Sequence, residues 1–101
     1  GEISDESDIE QSFYTKLSEN TYLFDGKTHL NDFLKVLSFD EDYLDEAKGE
    51  AETLAGLMLE IRKDFLRRGE TLAYRRLTLR VDAMDGRRID KIRVTVADSE
   101  D

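Results

Sequence analysis

The 101-residue chain contains no cysteine, no proline and a single histidine, His29. Without cysteine there is no disulfide framework and no thiolate to act as nucleophile or metal ligand. One histidine alone cannot assemble a transition-metal site, so no metal residues are expected and His29 is expected on the surface, at the start of a helix. The missing prolines leave turn signals to Gly26, Gly49, Gly56, Gly69 and Gly86. No apolar run approaches the roughly 20 residues needed to span a bilayer, and no signal-peptide pattern leads the chain, so direct membrane insertion by these residues is not expected. A Ser-His-Asp arrangement would have to combine His29 with Ser12, Ser18, Ser38 or Ser99, none of which lies in a nucleophile elbow. Neither a G-x-G-x-x-G nor a P-loop occurs. The sequence therefore predicts no catalytic residues, no enzyme activity and no bound cofactor.

What the chain has in abundance is charge. Charged residues make up 39% of it, against about 25% in an average soluble domain. The net charge is −9, and it is unevenly spread: residues 1–50 carry four lysines and 14 acids, residues 51–101 carry 11 lysines and arginines and 10 acids. The acidic whole repels phosphate backbones, which argues against a nucleic-acid partner despite the arginines of the second half. The hydrophobic fraction, also 39%, suffices for one domain with one core.

Residues 1–12 hold five acids among the first ten positions (Glu2, Asp5, Glu6, Asp8, Glu10) and few apolar side chains, and read as an acidic linker. FYTKL and TYLFDG predict a strand pair, with Tyr22 and Phe24 on one face and Leu23 on the other. Thr28 is the expected cap of a helix in which Leu30, Phe33, Leu34 and Leu37 form the apolar stripe. DEDYLDEAKGEAE predicts a loop or a short irregular helix. TLAGLMLEIRKDFL predicts a second helix capped by Thr53, with Leu54, Leu57, Met58, Ile61 and Phe65 inward, ending at Arg67-Arg68-Gly69. Its Gly56 is expected where a neighbouring backbone leaves no room for a methyl group. Past Gly69 the apolar period falls to two, predicting three strands around Leu72, around Leu77, Leu79, Val81 and Ala83, and around Ile92, Val94 and Val96, with a hairpin turn at Asp85-Gly86. Residues 98–101 read as a polar tail. The order ββααβββ predicts an α+β domain with a mainly antiparallel sheet and two helices.

Charged residues cluster in two further places. Asp40, Glu41, Asp42, Asp45 and Glu46 lack the spacing of a calcium loop and read as a solvated acidic surface. Arg87 and Arg88 in DGRRI could present guanidinium forks to an anion. The plainer expectation is that they pair with neighbouring acids such as Asp85 and Asp90.

YLFDGKTHLNDF, TLAGLMLEI, RRGETL and DGRRIDKIRV, in that order, resemble the transporter-associated domain at the C-terminus of CorC-type magnesium and cobalt efflux proteins and haemolysin-like relatives. The version here looks most like the gliding-motility-associated and haemolysin-like branch from Bacteroidetes. The resemblance covers residues 13–97. One departure is RKDFLRRGE, where relatives often have a Gly-Arg-Ile-Pro turn; a longer second helix is the expected result.

The resemblance implies a fold similar to part of the FAD-binding (PCMH-like) domain, in shape and without a flavin motif. It implies that GEISDESDIE is the junction with a preceding CBS pair, and that the host protein also carries a membrane domain. The adenine-nucleotide site of such proteins is associated with the CBS pair and ion translocation with the membrane domain. This chain is then expected to be a non-catalytic regulatory module on the cytoplasmic face of a bacterial inner membrane, working through contacts with its own CBS pair and membrane domain. Its charge asymmetry would also suit a homodimer. Arg87, Arg88 and Arg93 are the expected contact residues, with the acidic segment 40–46 as a complementary surface. The alternative is a sensor holding a nucleotide or flavin-like anion near the DGRRI hairpin and the helix start at Thr53.

Overall fold

The computed structural model describes residues 14–97; the predicted linker and polar tail lie outside them. Five strands, β1 (Tyr14–Ser18), β2 (Thr21–Asp25), β3 (Thr71–Tyr74), β4 (Leu77–Asp85) and β5 (Arg88–Val96), form one antiparallel sheet in the order β1-β2-β5-β4-β3. Between β2 and β3 run three helices: α1 (Leu30–Leu37), a single turn α2 (Asp45–Lys48) and α3 (Leu54–Arg62). The predicted α+β class and the ββααβββ order of the main elements are those observed. The strand latest in sequence, β5, is central in space.

Period-two alternation decides which sheet face is covered. Phe24, Leu72, Leu77, Leu79, Val81, Ile92 and Val94 are buried and meet Leu30, Phe33, Leu34, Leu54, Leu57 and Met58 from the helices. Phe24 and Phe33 meet edge-on, ring centroids 4.9 Å apart. Leu23 and Tyr22 fall on opposite faces as the pattern predicts. On the open face, one row across the strands reads Thr15, Leu23, Arg93, Arg80, Thr71.

The two long helices start side by side. Leu30 N donates to Glu52 O, Leu54 N to Thr28 O and Ala55 N to Gly26 O, so residues 26–30 and 52–55 run as a short antiparallel ladder. This corrects the capping of α1. His29, exposed, occupies the N-cap position without a side-chain bond, while Thr28 is tied through its backbone to Asp25 O and Leu54 N, its hydroxyl buried and unpartnered. Thr53 caps α3 as expected, accepting from Gly56 N at 3.2 Å.

The second helix is shorter than its periodicity implies. It stops at Arg62, where Lys63 takes a left-handed conformation (φ 62°) and donates its N–H to Leu59 O. The chain then turns so that Leu66 is buried and Phe65 is 75% exposed, the reverse of the predicted inward Phe65. Gly56 is not met by a neighbouring backbone at close range; a Cβ there would lie 3.2 Å from Ala51 Cβ and 3.3 Å from Thr53 Oγ1. Gly26 is the tight position, with Ile89 O 2.1 Å from where a Cβ would sit.

A register shift around Ala83 interrupts the alternation that the sequence extends through Asp82 and Ala83. Beyond it Asp85 pairs with Arg88 across a two-residue loop, Gly86-Arg87, with Gly86 at φ 65° as the first position of a type II′ connection requires.

Candidate functional site

Charged groups gather at both ends of β4. At its start, Arg75 and Arg76 form the β3–β4 turn, and the acidic segment packs onto it. Arg76 N donates to the Tyr43 hydroxyl at 2.9 Å, Tyr74 Oη donates to Tyr43 O at 3.4 Å, and the Arg75 guanidinium lies 4.2 Å from the Tyr43 ring centre. Tyr43 and Leu44 are buried, so they anchor the segment while Asp40, Glu41, Asp42, Asp45 and Glu46 face solvent. The single-turn α2 supplies the predicted short helix.

At the far end of β4, eight residues and roughly 27 Å away at strand rise, the loop after α3 passes the β4–β5 hairpin. Gly69 N donates to Val81 O and Val81 N to Glu70 O, extending the β3 pairing and fixing that loop against β4. Between loop and hairpin lies an open groove of about 470 Å³ with Phe65, Leu66, Arg67, Arg68, Met84 and Arg87 on its walls. Among the described residues, no carboxylate is within ion-pair distance of Arg67, Arg68 or Arg87.

The residues singled out in the sequence do not converge. Arg87 faces the groove, whereas Arg88 lines a separate polar hollow of about 290 Å³ with Asp25, Lys27, Asp85, Asp90 and Lys91. The expected pairing of Arg87 and Arg88 with Asp85 and Asp90 is not found among the described residues. Arg93 sits on the open sheet face, directly opposite Arg80, and reaches Asp82 at 3.4 Å. Thr53 is committed to capping α3. Sequence reasoning missed Phe65, Arg67, Arg68 and Met84 as neighbours of Arg87. The only signal is RRG itself, which reads as a helix terminator when the helix is expected to run up to it.

Beside the polar hollow, the Lys91 ammonium bonds to the Asp25 carboxylate across β2 and β5. That bond raises the Lys91 pKa above its ordinary value; burial opposes the shift, and the nearby charges of Asp25 and Asp90 add to it.

Among the described residues no group of three or more His, Cys, Asp or Glu side chains is placed to hold a metal ion, and no helix is long and apolar enough to cross a membrane. Comparison with known proteins gives the fold a family. The transporter-associated-domain profile matches residues 15–98. The chain belongs to the transporter-associated domain family.

A 101-residue stretch of the magnesium and cobalt efflux protein CorC of Pasteurella multocida is 30% identical, covering 99% of this chain and 32% of that protein. The polyamine export protein of Escherichia coli K12 is 32% identical over 82 residues, 81% of this chain and 18% of that protein. The chain thus spans a third or less of these relatives' length. The transporter-associated domain of a CBS-domain protein from Porphyromonas gingivalis superposes with a TM-score of 0.80 at 35% identity, covering 85% of this chain and 99% of that one. A domain from a Xylella fastidiosa haemolysin, in complex with Mg²⁺ and Mn²⁺, shares the fold with a TM-score of 0.68 at 21% identity, over 85% of this chain and 99% of that one.

Proposed function

We propose that this transporter-associated domain is a non-catalytic regulatory module of a longer, membrane-embedded exporter, held at the cytoplasmic face beside a CBS pair. A magnesium and cobalt efflux protein among its relatives, and a CBS-domain protein among its structural neighbours, support this reading. The observation that carries it is the groove at the end of β4. In a chain with nine more negative than positive charges, Arg67, Arg68 and Arg87 lack a counter-ion among the described residues while ringing an exposed phenylalanine. Such a surface gains most from a partner that supplies negative charge and covers Phe65.

A module of this kind shifts its host between states only through contacts that differ between those states. The contact residues assigned here are Arg87 and Arg88 at the hairpin, with Arg67 and Arg68 beside them; Arg93 and Thr53 serve the sheet and the helix. The acidic segment 40–46, at the opposite end, offers a complementary surface for the host or for a second copy. Charge reversal at Arg87 and Arg88 in the full-length protein tests this, read as cation export from cells. Altered export with an intact amide spectrum of the domain is expected; wild-type export and unchanged association with the CBS pair would remove the reading.

The second reading, a small-molecule sensor, is favoured by the groove's mixed lining of guanidinium groups, an aromatic ring and a thioether.

A further inference from the structure

Resting on that second reading, we infer that the groove formed by Phe65, Leu66, Arg67, Arg68, Met84 and Arg87 is a binding site for a nucleoside polyphosphate. Three features of the lining select this class. Guanidinium groups present planar forks matched to phosphate oxygens, and three of them without a carboxylate partner provide for a multiply charged group. The Phe65 ring, 75% exposed beside them, has a free face of the kind on which a planar base stacks. Met84 and Leu66 supply an apolar floor, and the volume of about 470 Å³ falls within the range of small-ligand clefts. An inorganic anion would leave Phe65 unused, and a neutral ring would leave three arginines unused.

The position of the groove also supplies rigidity. One wall is fixed by the backbone pairing of Gly69 and Glu70 to Val81, the other by the two-residue hairpin at Gly86-Arg87, so the arginines project from constrained backbone. The acidic segment 40–46 lies at the other end of β4, where it does not compete for these guanidinium groups.

Amide-detected NMR titration of the 101-residue chain with ADP, inorganic pyrophosphate, adenosine and a short single-stranded oligonucleotide tests the assignment at moderate salt. The expected result is saturable shifts confined to residues 65–68 and 84–87 with ADP. Pyrophosphate should bind at least about fivefold more weakly, as the loss of base stacking implies, and adenosine should not saturate. Phe65→Ala should weaken ADP by a similar factor while leaving pyrophosphate unchanged. Arg67→Glu with Arg87→Glu should abolish both; Arg67→Gln with Arg87→Gln replaces that pair if its spectrum shows misfolding. Absence of saturable shifts with ADP, equal affinity for ADP and pyrophosphate, tighter binding of the oligonucleotide, or indifference to the arginine variants would each overturn the inference. Saturable binding of pyrophosphate alone would overturn the nucleotide assignment while leaving an anion sensor, whereas no saturable shift with any of the four would remove the sensor reading too; the regulatory role is read separately, from export by the full-length protein.

Discussion

Gly26 and Gly56 show how two glycines in one fold carry different constraints. A methyl group on Gly26 would sit 2.1 Å from Ile89 O, so the ladder between residues 26–30 and 52–55 or the β5 backbone must move. Gly26→Ala is expected to destabilise by about 1–3 kcal/mol, as overpacking does. At Gly56 the nearest atoms are at 3.2 and 3.3 Å, and the gain of about 1 kcal/mol in helix propensity offsets a small adjustment. Gly56→Ala should therefore change the melting temperature much less than Gly26→Ala, which paired thermal melts will read. Lys91 offers a pH test at the same scale. Because its folded pKa is raised, the contribution of the Asp25–Lys91 bond is complete below the ordinary lysine pKa and is lost as pH rises through the higher folded value. The lysine is partly exposed, so the effect is on the order of 1 kcal/mol or less. A wild-type chain should lose that increment in alkaline melts, and Lys91→Met should not.

Among the elements, α3 separates pattern from packing. Helical spacing places Phe65 inward, yet the helix ends at Arg62 and Leu66 fills the core instead. Leu66→Ala is expected to cost about 2–4 kcal/mol, whereas Phe65→Ala should stay within about 0.5 kcal/mol; denaturant unfolding of the two variants decides. Most of the architecture was legible because alternation at Leu77, Leu79 and Val81 and the Leu30-Phe33-Leu34 stripe are local signals. The end of α3 was not, since a lysine in left-handed conformation carries no such signal and a tertiary demand, the burial of Leu66, sets the reversal. The same hidden reversal concealed the groove, which exists only because Arg67 and Arg68 leave the helix. Likewise Thr28 has a capping side chain, but its carbonyl accepts from Leu54 N, twenty-six positions away, a contact with no local signal.

At the scale of the molecule, the exposed acids of segment 40–46 lie at one end of β4, beside Arg75 and Arg76, and Arg67, Arg68 and Arg87 lie at the other. Contacts between such ends are screened over about 10 Å at 0.1 M salt. Any association of the domain with its host through these surfaces should weaken as salt rises, and reversing charge at one end should be rescued by a matching reversal in the partner. Pull-down across a salt series, with single and compensated variants, measures both. Retention that is insensitive to salt would argue for an apolar contact through Phe65 instead.

The central place of β5 has a consequence for how the chain is made. Translation delivers β2 more than sixty residues before the strand that pairs with its inner edge, a wait of roughly three to twelve seconds at common synthesis rates. During that interval Leu23 and Phe24 belong to a hairpin with one open side, and α1 and α3 have only part of a sheet to cover. Nascent chains arrested before Arg88 should therefore remain protease-sensitive and seek other strand edges, and protection should arrive in one step once Val96 has cleared the ribosome.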